Sequence, residues 1–186
     1  MEPPDTLSGM YSLNSTPLHW DPLLPAENTA EELAEMATAA IFGSSDHNTQ
    51  KLQGVLQQGL VDATTRTATG ETLLMLTVRI DKPTAFENLV LDFPEFRAPE
   101  FNQQDPNGDT VLHHFARHRD HNNFEPGVQA NWRRVVVRNF LDVFNKALDW
   151  SVRNNEGETA PELACKLGKS HLVGIMKSYS AKSMSS

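Results

Sequence analysis

The chain is poor in the residues that mark several common protein classes. It has a single cysteine, Cys165, in 186 residues. No intramolecular disulfide framework can form, and a reducing, cytoplasmic setting is expected. Ten glycines and eleven prolines are too few for a collagen-like or low-complexity chain. No apolar run approaches the ~18 residues of a membrane-spanning helix, so no membrane partner is expected. Met1-Glu2-Pro3-Pro4-Asp5 shows neither a basic nor an apolar leader region, which speaks against a secretory signal. Alternating apolar and polar runs of strand length are nearly missing as well, and the chain reads as mainly α.

Basic charge is scarce at one end. The formal net charge is -8, and residues 1–62 hold nine acids against the single base Lys51, while residues 63–186 hold fifteen of each. With no basic stripe to release counterions from phosphates, nucleic acid is not an expected partner. The acidic third is a solvated, solubilising face, or else a surface that attracts a basic partner.

Five of the eleven prolines fall in residues 1–28, without helical or strand period. This segment reads as a flexible or loosely docked N-terminal arm, with Trp20, Leu23 and Leu24 able to pack back. Residues 29–180 form the expected folded domain, and 181–186 a disordered tail. Thr29 followed by Glu32 has capping-box spacing, and Leu33, Met36, Ala37, Ala40 and Ile41 recur at helical steps. Leu52, Val55 and Leu56 share a face of the next helix, which Gly59 stops.

Self-similarity organises the rest. Three segments align on a glycine followed two residues later by threonine: Gly70-Glu71-Thr72, Gly108-Asp109-Thr110 and Gly157-Glu158-Thr159. The lead-in to the second, Glu100 to Gly108, parallels the lead-in to the third, Asp149 to Gly157, over nine positions. Each glycine suits a tight turn with left-handed backbone. Thr72, Thr110 and Thr159 sit where a helix N-cap must satisfy free N–H groups. Helix pairs are expected at about 30–58, 72–92, 111–147 and 160–180. Leu74, Leu112 and Ala164 face inward, and Phe140, Val143, Phe144, Leu172, Val173 and Met176 recur on the outer helices.

Gly108-Asp109-Thr110-Val111-Leu112-His113-His114-Phe115-Ala116 and Gly157-Glu158-Thr159-Ala160-Pro161-Glu162-Leu163-Ala164 resemble the ankyrin-repeat motif over residues 48–180. The intervals of 38 and 49 residues between the glycines exceed the family's usual 33. The resemblance implies an all-α, ankyrin-type solenoid of stacked helix-turn-helix pairs with hairpin tips. Lys166, Lys169, Lys177 and Lys182 would face a C-terminal cap; Glu27, Glu31, Glu32 and Glu35 would face the opposite one. It also implies a non-catalytic module, monomeric and without cofactor, that binds another protein on its concave face. Carried onto this chain, that face comprises Arg66, Thr67, Gln104, Asp105, Asn107, Asn154, Asn155 and Glu156 at the tips. Arg79, His114, Arg117, His118 and Lys166 follow on the inner helices, as exposed side chains.

Rival chemistry is thinner. His114 and His118 are one helical turn apart, a spacing that can bind Zn²⁺, but no glutamate follows the first as a zinc-protease motif requires. Metal ligands are therefore not assigned. Cys165, on a small-residue helix position, reads as a packed thiol rather than a nucleophile. No phosphate-binding loop or nucleophile elbow is present, and Trp132 and Trp150 read as core. The insertions at 92–99 and 119–130 read as loop drift, or, through Phe124, as a partner contact. A second functional reading makes the chain an exported bacterial effector, its 1–28 arm carrying the export signal or a linear motif.

Overall fold

The computed structural model describes residues 30–43, 46–57, 61–92, 100–118 and 128–183. Among these the fold is all-α, with eight α-helices and no strand. In chain order the helices are α1 (Ala30–Phe42), α2 (Asp46–Gln57), α3 (Leu73–Arg79), α4 (Pro83–Asp92), α5 (Val111–Arg117), α6 (Val128–Phe144), α7 (Ala160–Lys166) and α8 (Ser170–Ser183); α1 packs on α2, α3 on α4 and α7 on α8, while α5 touches α6 through Phe115 and Phe140. Leading helices meet in chain order, α1 on α3, α3 on α5 and α5 on α7; α4 meets α6. No helix among the described residues is long and apolar enough to cross a membrane. The expected arm at 1–28 and the insertion segments 93–99 and 119–127 lie outside the described residues, as do 184–186. Ala181, Lys182 and Ser183, assigned to the tail from sequence, continue α8.

Helices α3, α5 and α7 have seven residues each, below the ~12–15 at which an isolated helix is even marginal. Burial and capping hold them. Leu73 through Val78 are all buried in α3, as are Val111 to His114 and Ala116 in α5. Thr72 Oγ1 accepts from the Met75 N–H at 3.2 Å. In α7 the Glu162 carboxylate reaches back to accept from the Thr159 N–H at 2.8 Å, and Pro161 occupies the first turn, where no N–H is needed. Gly168, at φ +74°, closes α7: its N–H donates to Cys165 O, and that of Lys169 donates to Ala164 O. α3 closes with the same two bonds, Asp81 to Val78 O and Lys82 to Thr77 O, but with Asp81 at φ +64° in the glycine's place.

One hairpin turn precedes these helices and is used three times. Thr67, Asp105 and Asn154 donate their N–H to the carbonyls of Glu71, Asp109 and Glu158, and accept at their own carbonyls from Gly70, Gly108 and Gly157. Their side-chain oxygens accept from the N–H groups of the same Glu71, Asp109 and Glu158. Arg66, Gln104 and Arg153 each donate to the carbonyl of the glycine four residues on. The last two turns are joined directly: the Asn155 N–H donates to Asn107 O at 2.9 Å, and Asn155 Nδ2 to Pro106 O at 2.9 Å.

The core runs unbroken beneath the leading helices, from Ala37 and Ile41 through Leu73 and Leu112 to Leu163 and Met176. Behind it, five phenylalanines lock α4, α5, α6 and the 3₁₀ turn Glu100–Asn102 together. Phe140 has ring centroids of Phe86, Phe101, Phe115 and Phe144 within 5.9 Å. The pairs with Phe86 and Phe101 are edge-on, a packing that contributes about 0.5–1.5 kcal/mol per pair beyond area burial. Two expectations are corrected. Val143 is 66% exposed, because Phe140 and Phe144 take the inward face of α6. Cys165 is exposed rather than packed, because Leu163 and Ala164 form the buried side of α7.

Gly108 and Gly157 form a matched pair that separates backbone conformation from turn-to-turn packing. Both have positive φ, but a Cβ on Gly108 would lie 2.6 Å from Asn155 Oδ1 and 2.7 Å from its backbone N, whereas one on Gly157 meets nothing within 4 Å. Gly157→Ala should therefore cost about 1–2 kcal/mol, the left-handed penalty alone. Gly108→Ala should cost about 1–3 kcal/mol more for overpacking. Urea unfolding of the two variants checks this; equal losses would show that the turns are not in tight register.

Candidate functional site

The residue after each turn glycine is acidic, and the residue eight further on is basic: Glu71 and Arg79, Asp109 and Arg117, Glu158 and Lys166. A strand-like turn followed by two helical turns brings each pair together. Arg79 Nε and Nη2 grip the two oxygens of Glu71 at 2.6 and 2.9 Å. Arg117 bonds Asp109 and also Glu156, the latter at 3.1 Å. Lys166 reaches Glu156 at 2.7 Å and Glu158 at 2.8 Å. The bond from Lys166, and then that from Arg117, holds the Glu156 carboxyl below the ordinary glutamate range. Bonds to Glu156 and Glu158 push the Lys166 ammonium up.

Above the first two of these rungs opens a cleft of about 610 Å³, lined by residues of the first and second turns and of α3 and α5. Six of the thirteen residues proposed from sequence line it: Arg79, Asp105, Asn107, His114, Arg117 and His118. Glu71, Asp81 and Asp109 line it too, and the sequence reading passed over all three. The signal that could have found two of them was the acid-to-base spacing of eight, repeated three times. Of the remaining seven, Asn155, Glu156 and Lys166 are exposed along the third turn and α7. Arg66 bridges the first two turns through Gln103 Oε1 at 2.6 Å, and Gln104 bridges the second and third through Arg153 O at 2.9 Å.

Four of the thirteen do not present a solvated side chain, contrary to expectation. Thr67, Asp105 and Asn154 are buried, because their side-chain oxygens satisfy the turn's own N–H groups. Asn154 Nδ2 also donates to Asp109 Oδ1 at 3.0 Å. His114 is buried, with Nε2 3.1 Å from Asp105 Oδ2 and Nδ1 3.9 Å from Glu71 Oε1. α5 ends at Arg117, so His118 leaves the helix and lies 3.9 Å from Asp81 instead. The two histidines thus face different carboxylates and do not form the helical zinc pair. Glu71, Asp105 and His114 do bring three ligand atoms within 4.8 Å of one another. Arg79 already spans both Glu71 oxygens, and the N–H groups of Asn107 and Asp109 bond Asp105 Oδ1. The trio is satisfied within the protein.

His113 has a separate task. Its Nδ1 accepts from the Thr110 N–H at 3.1 Å, so in the neutral ring the proton sits on Nε2, which donates to Glu158 O at 3.0 Å. The imidazole thereby caps α5 and ties it to the third turn. Protonating Nδ1 would abolish the cap bond. Burial pushes the His113 pKa below the ordinary 6.5.

No protein-family model and no curated protein matches the chain.

The His113 pKa sets a direction for stability. A folded value below 6.5 means that the unfolded chain takes up the proton first, so the contribution is complete above about pH 6.5 and is lost as pH falls from there toward the folded value. His113→Gln keeps an acceptor for the Thr110 N–H, as Glu162 does for Thr159, but does not titrate. Wild type should exceed the variant by about 1 kcal/mol at pH 8, with the gap narrowing as pH is lowered to 5.5. Chemical denaturation at the two pH values measures the gap, and a constant gap would contradict the assigned tautomer.

Proposed function

We propose that this chain is a non-catalytic protein-interaction module, in which the helix pairs form an ankyrin-like stack and a partner protein docks on the concave face made by the turns and leading helices. The observation that carries the reading is the threefold recurrence of one turn, one cap and one acid–base rung, on leading helices that meet in chain order. Seven-residue helices cannot bury an apolar face alone, so such units are stable only side by side. Laying them side by side leaves a row of turn tips and leading-helix ends with polar side chains at fixed spacing. Asn107, Arg79, Arg117, Asn155, Glu156 and Lys166 supply that row. Because their backbones are held by turn or helix bonds, binding orders little beyond side-chain tips, which favours recognition by shape and charge. Fold-level resemblance supports this reading by analogy, and the cleft supports it by geometry.

Affinity capture from the native cell, followed by mass spectrometry, tests it. Asn107→Arg combined with Lys166→Ala alters two exposed positions on the proposed face. Recovery of the specific partner should fall at least about tenfold, equivalent to ~1.4 kcal/mol. Val143→Arg, exposed on α6 away from the cleft, should leave recovery unchanged. Equal recovery with all three proteins would overturn the assignment of the face.

A further inference from the structure

The residue before the turn glycine differs among the three units: Thr69, Asn107 and Glu156. Asn107 is the one asparagine of the chain that glycine follows. The scaffold also holds it differently from the asparagines around it. Asn102 Nδ2 donates to Ala147 O, and its Oδ1 accepts from the Asp149 N–H. Asn145 Nδ2 donates to Tyr179 O, and its Oδ1 accepts from Trp150 Nε1. Asn154 Nδ2 donates to Asp109 Oδ1, and Asn155 Nδ2 to Pro106 O. Asn107 is held through its backbone alone: its N–H donates to Asp105 Oδ1, and its carbonyl accepts from the Asn155 N–H. Its side-chain amide bonds nothing among the described residues, and the residue stands exposed along the cleft.

A loose side-chain amide next to glycine has its own chemistry. The backbone nitrogen of the next residue can close a five-membered ring on Cγ, and a Cβ on that residue would hinder the approach. Gly108 has none, whereas every other asparagine precedes a residue with a side chain. The Gly108 N–H donates to Asp105 O at 2.8 Å, so local opening of the turn frees the nitrogen to react.

We propose that Asn107 is a modification site, at which the chain deamidates itself, with water as the only co-reactant, to aspartate and isoaspartate. The Gly108 nitrogen attacks Asn107 Cγ, and the new C–N bond closes a succinimide. Nδ2 leaves as ammonia, taking the proton of the Gly108 amide. Water then opens the ring and returns a proton to that nitrogen. Addition at Cγ restores the ordinary main chain with aspartate at 107. Addition at the α-carbonyl leaves a free α-carboxylate and routes the main chain through the former side chain. In that second product the carbonyl that accepts the Asn155 N–H at 2.9 Å becomes a carboxylate oxygen, and the main chain gains one atom ahead of Gly108. The contact there is already close, since a Cβ on Gly108 would lie 2.6 Å from Asn155 Oδ1. Isoaspartate therefore loosens the second turn from the third, while aspartate adds a charge and leaves the register intact.

Peptide mapping by mass spectrometry tests this on the full chain held for weeks at pH 8 and 37 °C, native and in guanidinium chloride, with an isoaspartyl methyltransferase to mark the rearranged product. In the native chain Asn107 should convert at least about tenfold faster than Asn102, Asn145, Asn154 or Asn155. Asn107→Thr, which installs the residue of the first unit, should abolish the product. The Asn155 N–H should exchange with solvent at least about tenfold faster in purified isoaspartyl chains than in Asn107→Asp, which reproduces the other product. No conversion at Asn107 in the native chain, whatever happens in guanidinium chloride, would overturn the site, because the turn would then shield it. Equal conversion at the four held asparagines would overturn it too. Unchanged exchange at Asn155 in the isoaspartyl form would overturn the effect on the turns.

Discussion

A tight turn exposes backbone N–H groups that its own geometry cannot satisfy, and this fold depends on how three side chains meet that need. In each turn the residue three before the glycine offers an oxygen to the N–H just after it, and the residue four before offers a donor to the glycine carbonyl. Only then can the chain reverse tightly enough to deliver a threonine at the start of a seven-residue helix. The short helix survives because its capped end and buried face are both supplied from outside it. Removing the turn's internal bonds would leave buried polar groups, which cost about 1–3 kcal/mol each, more than so short a helix can recover by itself.

The same constraint explains which parts of the architecture could be read from sequence. Glycine and threonine recur because left-handed backbone and a capping hydroxyl admit few substitutes, so the three units and the starts of α3, α5 and α7 were visible. The accepting position is chemically loose: Thr67, Asp105 and Asn154 all present an oxygen at the right reach. Such polar residues in a turn read as solvated tips, and their burial became evident only with the hydrogen bonds drawn. His114 misled for a related reason. One residue after a histidine with a capping role, it falls on the side of α5 turned toward the first turn, which no single-helix periodicity reveals. Cys165 and Val143 erred in the opposite sense, because seven- and seventeen-residue helices were judged by composition when their buried faces were set by Leu163 with Ala164 and by Phe140 with Phe144.

His113 and His114 show how neighbours on one helix are put to different uses. His113 points along the chain direction, with one nitrogen closing its own helix and the other gripping the carbonyl of Glu158. Its neutrality is required by two backbone partners of fixed polarity. His114 points across to the preceding unit and meets carboxylates, which accept a proton donor from the ring in either charge state. The first is a structural clasp between the second and third units; the second belongs to the polar wall between the first and second.

The middle unit is therefore bound on both sides, by Arg66 through Gln103 from the first turn and by Asn155, Gln104 and His113 toward the third. A polar cleft between two units keeps its shape best where the backbone has the most independent supports. The cleft lies at that place. Its rungs pair Glu71 and Asp109 with guanidiniums, and Asp105 is held by the N–H groups of Asn107 and Asp109 and by His114. The side chains that line the cleft are thus largely the ones that hold the turns, so the form of the cleft is set by bonds made within the scaffold.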